Sequence, residues 1–293
     1  MAGSAAEGTQ KAKDAVERPA GQARRDAEQG RSWFAVLARA GLIAKGVSYG
    51  LVGLLAFKLA LRDGGSATSR EGALATLARE PFGEVGLVLL AFGFAGYAVW
   101  RLVEGILGSD EDGVKDWGKR AGYIGRALMY AALTFATVRL LFGTHGESQT
   151  AEARGQTATV LGWPGGKWIV AAAGVAIVGA GAWNAYRGIT RKFEEEWRTG
   201  RMSRVARAWG GRVAVLGHVA RGVVFTLIGV FLVKAALEYH AKEVVGLDGA
   251  LRKVVHAPYG PYLLGLVATG LLCYGAYCIV DARYRDLSTR GGA

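Results

Sequence analysis

An all-α integral membrane bundle of six helices, made of three two-helix repeats with pseudo-threefold symmetry, is the fold this sequence predicts. Three observations carry that expectation. The chain is 51% hydrophobic, with a mean hydropathy of +0.21 and 45 glycines against 5 prolines, and small residues are what let membrane helices approach closely. Apolar stretches near the roughly 20 residues that cross a 30 Å hydrocarbon core alternate with basic connections. One pattern of glycine, basic and aromatic residues also returns three times along the chain.

The first helix of each repeat is marked by Gly41, Gly122 and Gly217. Four residues later, one helical turn on, stands a basic residue: Lys45, Arg126 or Arg221. A small residue and then an aromatic follow, Tyr49, Tyr130 or Phe225, and a second basic residue recurs in register at Lys58, Arg139 and Lys234. The run between the two basic positions is too short to span a bilayer alone. These helices cross only if the long side chains snorkel or face protein and water.

The second half of each repeat opens with Gly72, Gly155 or Gly249 and continues to Pro81, Pro164 or Pro258, then Gly83, Gly166 or Gly260. An apolar helix ends near Tyr97, Trp183 or Tyr277, and one turn later comes Arg101, Arg187 or Asp281. The predicted spans are 37–61, 82–107, 121–142, 166–189, 215–237 and 259–280, with an external amphipathic stretch inside each repeat. The expected organisation is a polar, disordered cytoplasmic tail over 1–32, repeats over 33–113, 114–200 and 201–285, and a short tail over 286–293. The first thirty residues lack the apolar region of a cleavable signal.

The net charge of +12 raises the question of nucleic acid. Its placement argues against that partner, because the basic residues gather in alternate connections: Arg101, Lys115, Lys119 and Arg120, then Arg187 through Arg212. Loops of this kind lie beside the cytoplasmic leaflet, which places both termini in the cytoplasm.

The thrice-repeated Gly-x-x-small-basic-small helix, joined through Gly-Ala-Leu and Pro-Phe-Gly to a glycine- and aromatic-rich helix, resembles a bacterial membrane family, domain of unknown function 1206. The resemblance covers about 38–285. The first and third copies match best, and the second has Trp-Pro-Gly-Gly at 163–166 and no Gly-Ala-Leu. It implies a polytopic fold in the bacterial cytoplasmic membrane and no established activity.

The inner basic set, Lys45, Arg126 and Arg221, is the first candidate site, suited to anionic lipid phosphates or an anionic solute through charge-assisted hydrogen bonds. The alternative is three snorkelling anchors. Lys58, Arg139 and Lys234 form an outer set, about 140° around each helix from the inner one. Glu104 and Asp281 are expected ion-pair partners, for instance of Lys45 and Arg221 respectively. Tyr97, Trp100, Trp183, Tyr186 and Tyr277 read as an interfacial aromatic belt. Residues 191–212 read as either an amphipathic helix on the inner leaflet or a solvated loop.

Cys273 and Cys278 read as small apolar residues, and His218 as a tolerated histidine near an interface. The four histidines are scattered, so no metal or other cofactor is expected. No HExxH pattern occurs; Gly46–Gly50 has GxSxG spacing but lies within the predicted span 37–61 and not at a strand-to-helix turn, and no catalytic constellation emerges. The leading expectation is a non-enzymatic protein binding anionic lipid or a membrane partner. The runner-up is a small transporter or channel for an anionic solute.

Overall fold

A computed structural model describes residues 33, 35–61, 70–80, 83–107, 114–143 and 149–286. The tail expected over 1–32, His145 and residues 287–293 lie outside them. Among the described residues the chain is helical: α1 (Ala35–Ala60), α2 (Arg70–Leu77), α3 (Gly83–Leu107), α4 (Val114–Leu141), α5 (Gln149–Leu161), α6 (Gly166–Ile189), α7 (Arg204–Glu238), α8 (Leu247–Val255) and α9 (Gly260–Tyr284). Six of these, α1, α3, α4, α6, α7 and α9, are long and apolar enough to cross a membrane. Helices α2, α5 and α8 are the short pieces between the two long helices of each repeat.

The Pro-x-Gly signal has a steric cause. A Cβ on Gly83, Gly166 or Gly260 would collide with the carbonyl oxygen of Leu77, Val160 or Val255, so the last turn of each short helix lies against the first turn of the next long one. The same turn closes all three, with Gly83 N donating to Glu80 O (2.8 Å), Gly166 N to Trp163 O (2.9 Å) and Gly260 N to Ala257 O (2.8 Å).

Helix α7 starts at Arg204, capped by the Ser203 hydroxyl accepting from Ala206 N, and not near Val215 as the hydropathy suggested. Residues 191–212 are therefore neither a surface amphipathic helix nor a plain loop. Two 3-10 turns, Lys192–Glu196 and Thr199–Arg201, lead directly into α7. Phe193 in the first of these and Trp197, which caps it, are buried. The aromatic belt also needs correction: Tyr97, Trp100 and Tyr277 lie in the core, and only Trp183 and Tyr186 are exposed. Their indole and phenol groups find ring partners inside the bundle, which competes with the membrane interface for such side chains.

The long helices pack in the order α4, α3, α1, α9, α7, α6. Glycines set the closest approaches. Gly46 and Gly275 meet backbone to backbone between α1 and α9, where an added Cβ on Gly46 would stand 2.8 Å from Gly275 O. On α6 and α7, Gly174 faces Gly229 and Gly181 faces Gly222, so two successive turns of antiparallel helix touch. Gly53 completes the face on α1 against α9, whereas Gly50 and Gly179 face open space. Helices α4 and α6, the two long helices of the second repeat, share no extensive packed interface among the described residues. Accordingly, 22% and 17% of their apolar windows are buried, against 50% for α1, α3 and α9.

Gly181→Ala places a methyl 2.8 Å from Gly222 O and 2.6 Å from Thr226 Oγ1, and is expected to destabilise by about 1–3 kcal/mol, the usual cost of overpacking. Gly179→Ala, in open space, is expected to be neutral or to stabilise by up to about 1 kcal/mol through helix propensity. Thermal unfolding of the two variants in one detergent compares them directly.

Candidate functional site

Of the three inner cations of the sequence pattern, Lys45 and Arg221 are half-buried in the bundle and Arg126 is exposed, facing Arg221. Lys45 on α1, Arg126 on α4 and Arg221 on α7 are each carried one turn past an aligned glycine. In the first and third copies that glycine seats another helix: a Cβ on Gly41 would clash with Tyr97, and one on Gly217 would come within 2.6 Å of the Tyr274 backbone. The close approach brings tyrosines of α3 and α9 alongside the cations. The Lys45 ammonium lies 5.6 Å from the Tyr97 ring centroid and 5.3 Å from that of Tyr274, within the range of cation–π attraction.

Arg221 is the best-held member. Its Nε donates to Tyr49 Oη on α1 (3.0 Å). Its Nη1 donates to Asn184 Oδ1 on α6 and to Tyr274 Oη on α9, both at 2.9 Å. The guanidinium also stacks 4.6 Å from the Phe225 ring centroid. Its Nη2 makes no hydrogen bond among the described residues. Arg126 is exposed, lies 5.8 Å from the Tyr123 ring centroid, and faces the charges of Arg101 and Arg221 together with Tyr97 and Tyr274. Lys45 and Arg221 share Tyr274, Tyr130 and Cys278 as neighbours.

No carboxylate lies within ion-pair distance of Lys45, Arg126 or Arg221 among the described residues. The acids expected to pair with them have other partners. Glu104 binds Arg101 at 2.5 Å, three residues before it on α3, and Arg101 also donates to Tyr97 Oη (3.1 Å). Asp281 binds Arg285 (2.8 Å) and accepts from Trp197 Nε1 (3.0 Å). The reason is proximity along a helix. Arg101 and Arg285 stand one turn from these acids on their own helices, and neighbours at that spacing pair without bridging two helices.

The outer set is arranged differently. Lys234 pairs with Glu243 (3.1 Å) and Glu238 (3.8 Å), Arg139 lies 5.9 Å from the Phe135 ring centroid, and all three side chains, Lys58 included, are exposed.

Between the triad and the helix ends lies a second polar layer that the sequence pattern did not disclose. Glu196, from the 3-10 turn, sits between Arg285 (2.6 Å) and Arg187 (2.8 Å). Asp286 N donates to Glu196 O and Arg198 N to Tyr284 O, both at 2.8 Å, which stitches the α6–α7 connection to the end of α9. His218 is buried beneath this layer, 5.3 Å from Phe193 and 4.6 Å from Tyr277, with Nδ1 2.8 Å from Ala214 O. It packs with aromatic rings, and its Nδ1 contact is to backbone. The one sequence signal for this layer was a tryptophan beside three glutamates in a basic connection.

Among the described residues, no group of three or more His, Cys, Asp and Glu side chains has the arrangement of a metal site. Cys278 is buried, Cys273 is half-buried, and both are free thiols.

Comparison with known proteins adds a family. The model of the Domain of Unknown Function (DUF1206) family matches the chain three times, over residues 40–108, 121–191 and 216–285. An uncharacterized protein of Bacillus subtilis (strain 168), YxxB, is 29% identical over 263 residues, covering 89% of this chain and 94% of that protein. No solved structure matches.

Burial by itself would raise the Glu196 carboxyl, but the Arg285 and Arg187 guanidiniums outweigh it and hold the group at about 2, below its ordinary 4.5. A depressed carboxylate contributes stability above its unfolded pKa and loses it as pH falls through the folded one. Glu196→Gln is therefore expected to destabilise by about 2–3 kcal/mol at pH 7. The gap to the unsubstituted protein should close between about pH 4.5 and pH 2, as read by detergent-phase unfolding across pH.

Proposed function

The chain belongs to the DUF1206 family, and from that premise we propose that it is a non-enzymatic membrane protein that binds an anionic lipid headgroup at the Lys45, Arg126 and Arg221 centre. It sits in the bacterial cytoplasmic membrane with both termini inside. The single observation that carries the binding role is that Lys45 and Arg221, from two helices, share Tyr274, Tyr130 and Cys278 as neighbours, with exposed Arg126 facing Arg221, and that none of the three has a carboxylate partner among the described residues. Cations held in a low-dielectric setting are costly unless an opposite charge compensates them. Tyrosine hydroxyls orient a guanidinium without neutralising it, so the positive potential stays available to a ligand.

A phosphate group suits the arrangement. Arginine and lysine donors make short charge-assisted bonds to phosphate oxygens, and Arg221 Nη2, the Lys45 ammonium and the exposed Arg126 come from three different helices. The orientation rests on the basic connection from Arg191 to Arg201, which joins α6 to α7 at the same end of the bundle as the paired Arg101, Arg187 and Arg285. Basic residues at that density favour the cytoplasmic leaflet.

Native mass spectrometry of protein extracted gently from its own membrane tests the binding role. The unsubstituted chain is expected to retain an anionic phospholipid, with retention falling about tenfold, or about 1.4 kcal/mol, in Arg126→Ala. Arg126 is the variant of choice because it makes no hydrogen bond or ion pair among the described residues, so its loss should leave the fold intact. Equal retention by Arg126→Ala, or no anionic adduct on the unsubstituted chain, would refute headgroup binding at this centre.

A further inference from the structure

We propose that the ligand enters sideways from the bilayer, through an open seam between α4 and α6, so that its headgroup reaches the cations while its acyl chains lie in the seam. This rests on the anion-binding role above and makes the occupant a phospholipid with a net negative headgroup.

The seam is visible as a place where the repeat is not used. In the first copy, Leu37, Ala40, Gly41 and Ala44 of α1 receive Gly93, Gly96 and Tyr97 of α3. The register-equivalent positions of the second copy are Gly118, Ala121, Gly122 and Gly125 on α4, and Gly179, Ala182 and Trp183 on α6. All seven are exposed. A Cβ added at Gly118, Gly122, Gly125 or Gly179 would meet nothing within 4 Å. Trp183 is 55% exposed, whereas its counterparts Tyr97 and Tyr277 are 1% and 3% exposed. The faces that close the helix pair in the first repeat thus stand uncovered in the second.

The seam borders the cationic centre on both banks. Arg126 stands one turn after Gly122, on the same face of α4. On the opposite bank, Asn184 follows Trp183 and holds Arg221 Nη1 (2.9 Å). A groove with small apolar walls and two arginines at its inner edge matches an amphiphile with an anionic head in both polarity and charge. A second copy of the chain would bring Arg126 against Arg126 if it docked symmetrically on this face, which like-charge repulsion opposes.

The test uses the full chain, reconstituted in vesicles of equal parts phosphatidylglycerol and phosphatidylcholine, then examined by native mass spectrometry. Gly122→Trp fills the seam one turn before Arg126 and keeps all three cations in the chain, and Leu128→Trp, on the exposed outer side of α4, is the control. The expected result is preferential retention of phosphatidylglycerol by the unsubstituted chain and Leu128→Trp, and about tenfold less by Gly122→Trp.

Unchanged retention by Gly122→Trp, with loss in Arg126→Ala, would overturn lateral entry and leave the anion-binding centre standing. Unchanged retention by both would overturn the centre as well. A dimer that Gly122→Trp dissociates would assign the seam to a second copy and overturn the lipid. Should Gly122→Trp not fold, Gly122→Cys with Cys273→Ser and Cys278→Ala supplies the readout. Phosphatidylglycerol is expected to slow its labelling by a bulky maleimide relative to phosphatidylcholine alone, and equal rates would overturn the proposal.

Discussion

The Arg221 guanidinium is the contact on which the arrangement of the bundle turns. Carried by α7, it binds α1 through Tyr49, α6 through Asn184 and α9 through Tyr274. One side chain therefore sets four of the six long helices relative to each other. Hydrogen bonds from a charged donor contribute about 1.5–3 kcal/mol each when well made. All three acceptors are neutral. A carboxylate in any of these places would have closed the site electrostatically. Phenol and amide oxygens fix the guanidinium and leave its charge uncancelled.

Backbone contact makes that geometry attainable. Tyrosine hydroxyls reach the centre because α1, α3, α7 and α9 approach one another at glycines, with Gly41 against Tyr97, Gly46 against Gly275 and Gly217 against Tyr274. Ring contacts then extend outward from the same residues: Tyr49 to Tyr274 at 4.8 Å and Tyr97 to Tyr130 at 4.3 Å between centroids. Packing and site are thus one construction. A larger residue at these glycines would move the tyrosines and the cations together.

Charge is divided between two levels. At the basic end of the bundle Glu104, Glu196 and Asp281 are matched to Arg101, Arg187 and Arg285. About a turn deeper stand Lys45, Arg126 and Arg221, beside tyrosines and without acids among the described residues. Trp197 and Phe193 lie between the levels and, with His218 and Tyr277, make an aromatic layer under the paired charges.

The sequence by itself determined the number of long helices, the three-fold recurrence of the unit, and the existence of the inner cation set. Each of these is encoded locally: apolar length, the spacing from Gly41 to Lys45, and the Pro-x-Gly turn before α3, α6 and α9 are all read along one stretch of chain. The start of α7 at Arg204 escaped because a basic, tryptophan-containing segment carries no apolar period. The aromatics at Tyr97 and Tyr277 were placed at the interface because burial within a bundle and residence at a headgroup use the same residue types. The partners of Glu104 and Asp281 stand three and four residues away along the chain and were within reach of the sequence, whereas the stitching by Glu196 and the separation of α4 from α6 were decided only by tertiary structure. They depend on which helices are neighbours in space, and three copies of one pattern say that pairs exist without saying which pair stays open.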